Sequence, residues 1–222
     1  MVPFAPRNVI NMPIKILPFQ FYFVLTAALT GAIFIRRFSL VEKLIWIILV
    51  LNVLIDAYAR YIGSQGIHNG ICYNVLVPLE ILIMIYIYNI TSKNHAYKIL
   101  TYGLSGVLLV FAVVVAMFLQ ERDKLHTYTI AFGGIMVGAL SYLRLRKIII
   151  NDINLTDNIL FWFCAANFIY YIIFIPVLSV LPIANDISNE LARSIKKVNN
   201  YAYALWSTLI TIGFICSRKN AI

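Results

Sequence analysis

The sequence predicts an all-α fold: a polytopic membrane bundle of seven transmembrane helices that makes up a single domain over residues 1–222. Three observations predict it. Of 222 residues, 62% are apolar and only 12% are charged, whereas a soluble domain carries about 45–50% and about 25%. The mean hydropathy is +0.86. Apolar runs long enough to cross a bilayer recur seven times, with short polar breaks between them. A hydrocarbon core of about 30 Å takes roughly 20 helical residues to cross. Lipid cannot hydrogen-bond a bare backbone, so such runs are helices, and none alternates in the manner of a barrel strand.

The first span, 16–35, follows a leader carrying Arg7 and Lys15 and stops at Ile35-Arg36-Arg37. Its length, the missing small-x-small site and the basic flank make it a retained helix rather than a secretory signal. The second, 44–62, carries Asn52, Asp56 and Arg60, and the third, 71–90, carries Pro78 and Glu80. The fourth, 97–119, is almost wholly apolar, and the fifth, 125–143, contains Gly133, Gly134 and Gly138. The sixth, 159–183, is rich in aromatics from Phe161 to Phe174, and the seventh, 198–217, contains Tyr203, Ser207 and Thr208. The longest connections, residues 144–158 and 184–197, are too short for a folded soluble domain, which takes at least about 40 residues.

Lys and Arg on alternating loops set the orientation. One set holds Arg36, Arg37, Lys43, Lys93, Lys98, Arg144, Arg146, Lys147, Arg218 and Lys219; the other holds Arg7, Lys15, Arg60, Arg122, Lys124, Arg193, Lys196 and Lys197. The first set is larger and crowds helix ends on shorter loops. That side is therefore expected in the cytoplasm, with the N-terminus outside and the C-terminus inside. The net charge of +9 then reads as attachment to anionic lipid rather than to nucleic acid, since no soluble basic module exists.

Only two acids fall within the spans, and an ionisable group at bilayer depth costs at least about 2.5 kcal/mol, which makes each a candidate site. Asn52, Asp56 and Arg60 follow one another at i, i+4 and share a helix face. They read either as an internal ion pair that fixes helix rotation or as a stripe that contacts a ligand or ion. Glu80 has no basic residue in its own span and follows Pro78, which leaves the Asn74 carbonyl without its usual donor. It is either a functional carboxyl or a neutral, hydrogen-bonded one. Tyr73 and Met84 share its face. Asn167, Tyr171 and Tyr203 are further polar groups at depth, and Tyr171 is placed to line a pocket with Glu80. Gly134 and Gly138 form a small-xxx-small pattern that serves either packing within the chain or a dimer face.

No enzymatic constellation stands out. The chain has no G-x-S-x-G, H-E-x-x-H or P-loop. His68, His95 and His126 lie on different sides and cannot form a three-His metal site. Cys72 is remote from Cys164 and Cys216, so no disulfide among them is expected. Retinal needs a lysine in the last span, and 198–217 has none. No cofactor is expected.

Several single-residue features recur together: Tyr73-Asn74 then Pro78-Leu79-Glu80, His126-Thr127-Tyr128-Thr129, Asp157 then Phe161-Trp162, and Asn199-Asn200-Tyr201. In these the stretch from Tyr58 onward resembles an uncharacterised family of seven-helix integral membrane proteins of Bacteroidetes-type bacteria. The resemblance implies a sensory or signalling neighbourhood and brings no activity with it.

Two function classes follow. The first is a seven-helix sensor or signalling accessory in the bacterial inner membrane. It would bind a small molecule, a lipid or a partner protein from the outer half and report through the basic cytoplasmic loops, Arg144 to Lys147 among them. The second is a small proton- or cation-coupled transporter or channel using Glu80 and Asp56. Inverted repeats would favour the second, and none is visible beyond Pro78 against Pro176.

Overall fold

The computed structural model describes residues 18–66, 69–119, 126–151 and 155–217. Arg7, Lys15, His68, Arg122, Lys124, Arg218 and Lys219 lie outside the described residues. The described chain is all-α, with seven helices: α1 (Phe19–Phe34), α2 (Leu40–Ser64), α3 (Gly70–Ile90), α4 (His95–Val114), α5 (Thr127–Asn151), α6 (Ile159–Ile187) and α7 (Asn189–Cys216). A 3-10 turn, Ile35–Arg37, finishes α1, and a π turn, Val115–Leu119, continues α4.

Short polar residues start the helices where the sequence offers them. The Ser39 N–H donates to Glu42 Oε2 at 2.7 Å ahead of α2. Asn94 Oδ1 accepts from the Ala96 N–H at 2.9 Å and Asn158 Oδ1 from Leu160 at 3.0 Å. Ser188 Oγ accepts from Leu191 at 3.1 Å. Each bond satisfies one of the first-turn amides that a helix leaves without a partner.

Two connections expected from the sequence are largely helical instead. Residues 144–147 are not a loop: α5 runs on to Asn151 and carries Arg144, Arg146 and Lys147 within it. The connection expected over 184–197 reduces to Ser188, because α6 continues to Ile187 and α7 starts at Asn189. Hydropathy reports the apolar slab and not the point where backbone hydrogen bonding stops. A helix can therefore run past its apolar stretch as a polar extension, as α7 does with exposed Arg193, Lys196 and Lys197.

Among the described residues five stretches are long and apolar enough to cross a membrane: Phe19–Arg37, Cys72–Ile90, His95–Phe118, Thr127–Asn151 and Ile159–Leu181. The remaining helices, α2 and α7, are 25 and 28 residues long, and their apolar runs are broken by the polar residues that build the site. Large apolar side chains on the outside, among them Leu29, Ile33, Leu54, Val75, Val110, Ile150 and Ile183, are exposed. A water-soluble protein does not present such a coat.

Helix neighbours close a ring in the order α1, α2, α3, α5, α6, α7 and back to α1, with α4 outside it against α3 and α5. The interior holds Ile45, Ile48, Leu49, Ile81, Met84, Ile85, Phe163, Ile210 and Phe214, all essentially without solvent contact. Close approach of α5 to α6 depends on glycine. A Cβ at Gly134 would lie 2.8 Å from Tyr171 Cδ1, and one at Gly138 would lie 3.5 Å from Tyr171 Cβ. The small-xxx-small face is thus covered from within the chain by Tyr171.

Candidate functional site

Inside one end of the ring lies a cavity of about 320 Å³. The second half of α2 brings Asn52, Asp56 and Arg60 to it, one per turn, as the i, i+4 spacing requires. From α3 come Tyr73, Leu76, Val77, Glu80 and Met84; from α6 Tyr170, Tyr171 and Phe174; and from α7 Asn199, Asn200, Tyr203 and Trp206. Gln20 and Ile130 complete the lining.

Hydrogen bonds tie the α2, α3 and α7 walls together. The Tyr203 hydroxyl donates to Asn52 Oδ1 at 2.8 Å, and Asn52 Nδ2 donates both to Glu80 Oε1 at 3.1 Å and to the Ile48 carbonyl at 2.9 Å. One amide thereby positions the Glu80 carboxyl and a tyrosine from the far side of the ring. A second bond runs from the Tyr73 hydroxyl to Asp56 Oδ1 at 2.7 Å.

That bond corrects the expected Asp56–Arg60 pair. Asp56 takes its hydrogen bond from Tyr73 on the neighbouring helix, and among the described residues no ion pair joins it to Arg60. Arg60 Nε is buried without a hydrogen-bond partner, and so are Gln20 Oε1 and Asn199 Oδ1 at the same cavity. The wall is therefore polar and only partly satisfied, which is uncommon for buried groups.

Aromatic rings form a further part of the lining. Tyr203 and Trp206 stack with centroids 5.5 Å apart and planes 5° apart. Tyr170 lies 5.8 Å from Tyr203, 6.4 Å from Trp206 and 5.2 Å from Phe174.

Asn167 does not line this cavity. It is fully buried, in a chain of hydrogen bonds that leads away from the cavity-lining Trp206. Trp206 Nε1 donates to Asn167 Oδ1 at 2.7 Å, and Asn167 Nδ2 donates to the Tyr88 oxygen at 2.9 Å. Tyr88 meets Ser141 Oγ at 2.6 Å, and Ser141 donates to the Val137 carbonyl at 2.6 Å. Because the Ser141 proton is committed to Val137, the Tyr88 hydroxyl donates to Ser141. The chain has one direction, spans α7, α6, α3 and α5, and leaves neither Trp206 Nε1, Asn167 Oδ1, Tyr88 Oη nor Ser141 Oγ without a partner.

Other polar residues at depth serve their own helices. Ser207 and Thr208 donate back to the carbonyls of Tyr203 and Ala204. Beside Pro78, the Asn74 side chain accepts from the His126 N–H at 2.7 Å and ties α3 to the start of α5. Arg144 turns inward and donates from Nη2 to the Thr91 carbonyl at the end of α3, where a cation also meets the negative pole of the helix. Only Arg146 and Lys147 of the expected cytoplasmic cluster face outward.

Of the residues singled out from sequence, Asn52, Asp56, Arg60, Tyr73, Glu80, Tyr171 and Tyr203 converge on the cavity, and Asn167 does not. Gln20, Tyr170, Phe174, Asn199, Asn200 and Trp206 are additional lining residues. Asn199, Tyr203 and Trp206 stand at i, i+4 and i+7, a helical stripe that would have pointed to two of them. Among the described residues no group of three His, Cys, Asp or Glu could hold a metal ion.

Fold and site thus define a class: a helical bundle with membrane-crossing stretches and an internal acidic and aromatic cavity. No protein-family model, no curated protein and no solved structure matches this chain.

Proposed function

We propose that the chain is a seven-helix integral membrane protein of a bacterial inner membrane, with its N-terminus outside and its C-terminus in the cytoplasm. It acts as a sensor or signalling accessory that binds a small molecule in the cavity. The observation that carries this reading is what adjoins the cavity: its lining residue Trp206 donates into the completed Asn167–Tyr88–Ser141 chain, which is buried in the same bundle as Ile81, Ile85 and Phe163. A chamber beside a network whose polar groups are committed to one another suits recognition better than conduction. The cavity volume also lies within the range of small-molecule sites. Its place inside the ring favours a small molecule over a whole lipid, and outward-facing Arg146 and Lys147 offer a basic surface to a cytoplasmic partner.

One observation favours the second reading, a proton- or cation-coupled carrier: Asp56 and Glu80 border the same space, and acids at such depth serve proton relays elsewhere. Proteoliposomes separate the two. With a pH-sensitive dye inside and an imposed proton or sodium gradient, the wild type is expected to show the leak of empty vesicles. Flux that disappears in Glu80→Gln would overturn the sensor reading. Orientation is checked in the same membranes, in a cysteine-free background, with an impermeant maleimide: Lys197→Cys should label from outside and Arg146→Cys only after lysis.

A further inference from the structure

We infer that the cavity's ligand is a small organic monocation, an amine or quaternary ammonium, seated between Asp56 and Glu80 on one wall and the Tyr170, Tyr203 and Trp206 rings on the other. The inference rests on the binding reading above and adds the chemistry of what is bound.

Charge comes first. The lining contains two carboxylates and one guanidinium, so with both acids ionised the site carries one uncompensated negative charge. Internal hydrogen bonds bring no positive charge to it: Tyr73 donates to Asp56 and Asn52 to Glu80, and both donors are neutral. Arg60 does not pair with Asp56. An anion would add to this net negative charge, and a neutral apolar guest would leave the one uncompensated charge desolvated without a counter-ion, which is costly. A single positive charge balances the site.

The aromatic wall specifies what kind of cation. Ring faces attract ammonium groups through their quadrupoles, best when desolvated, and tryptophan is the strongest of them. Three rings within 5.5–6.4 Å of one another form a surface suited to alkyl-ammonium groups rather than to a hydrated metal ion. Size agrees. A cavity of about 320 Å³ equals the volume of about ten waters at ~30 Å³ each, far more than a bare ion occupies.

The test uses the full chain in nanodiscs and two matched pairs of probes. Choline is compared with its uncharged carbon isostere dimethylbutanol, and phenethylamine with phenethyl alcohol. Binding is read by thermal shift and by tryptophan emission, since Trp206 lines the cavity. Each cation is expected to bind at least about tenfold more tightly than its neutral partner. Asp56→Asn and Glu80→Gln should each cut that preference by about tenfold while neutral binding changes by less than about threefold. Tyr170→Leu, whose effect is independent of charge removal, should weaken both cations and choline the most. Equal binding of cation and neutral partner, or no shift with either cation at millimolar concentration, overturns the inference. Both results differ from coupled flux, which would instead overturn the sensor reading, so the two failures can be told apart.

Discussion

Two polar clusters share the same bundle, the first built from α3, α5, α6 and α7 and the second from α1, α2, α3 and α7, and they treat their hydrogen-bonding groups in opposite ways. In the cluster of Trp206, Asn167, Tyr88 and Ser141 each donor meets an acceptor and every member is buried, with only Trp206 bordering the cavity. In the cluster around Asn52, Asp56 and Glu80, empty space remains and Arg60 Nε, Gln20 Oε1 and Asn199 Oδ1 have no partner. A network that closes on itself holds helices in place; one left open beside a cavity is arranged for something else to complete it. The difference assigns stability to the first cluster and recognition to the second, and substitutions can test the division.

The largest stability effect is expected at Asn167. Asn167→Leu removes the acceptor of Trp206 Nε1 and the donor to Tyr88, leaving an indole N–H unpaired in the interior at a cost of about 2–3 kcal/mol. Unfolding in mixed micelles measures it. A change below about 0.5 kcal/mol would mean that the closed network is not what holds α3, α6 and α7 together.

This contrast could be read only partly from the sequence. Helix number and the α2 stripe follow from spacing along one helix, so Asn52, Asp56 and Arg60 could be placed on one face without knowing any neighbour. Glu80 stood out because a lone acid in an apolar run is expensive. What spacing could not supply is which helices are adjacent. Asn167 and Tyr171 stand one turn apart on α6, yet one meets Trp206 and Tyr88 while the other faces the cavity and Gly134. Spacing matches Asp56 with the cation on its own helix, whereas its partner, Tyr73, comes from α3. Hydropathy ends α5 and α6 too early and starts α7 too late, because apolarity marks the membrane slab and the backbone runs on beyond it.

An intermediate effect is expected where α5 meets α6 at Tyr171. In Gly134→Ala the new methyl would sit 2.8 Å from Tyr171 Cδ1, and the ring has to move, at a cost of about 1–2 kcal/mol. Gly138→Ala meets Tyr171 Cβ at 3.5 Å, an ordinary contact, and is expected to stay within about 0.5 kcal/mol of the parent. Because Tyr171 also lines the cavity, Gly134→Ala should alter tryptophan emission and probe binding as well as stability. Equal stability losses at the two glycines would show that α5 can shift as a whole and that the fit against Tyr171 is not local.

The smallest stability effect, and the sharpest test of the division, is expected at Glu80. In Glu80→Gln the replacement carbonyl keeps the position of Oε1 and still accepts from Asn52 Nδ2, so the Tyr203–Asn52 arm of the site survives. Removing a charge from a partly buried, incompletely compensated position relieves desolvation while losing one charge-assisted bond, and the two effects oppose each other. The net change in unfolding free energy is expected within about 0.5 kcal/mol of zero, several-fold below that of Asn167→Leu, in a pair whose networks share no hydrogen bond and meet only where Trp206 stacks on Tyr203. If Glu80→Gln instead destabilises as much as Asn167→Leu, the carboxylate belongs to the scaffold and the cavity loses its claim to be a recognition site. If it leaves stability unchanged and removes the preference for charged over neutral probes, the two clusters differ in purpose as they differ in hydrogen bonding.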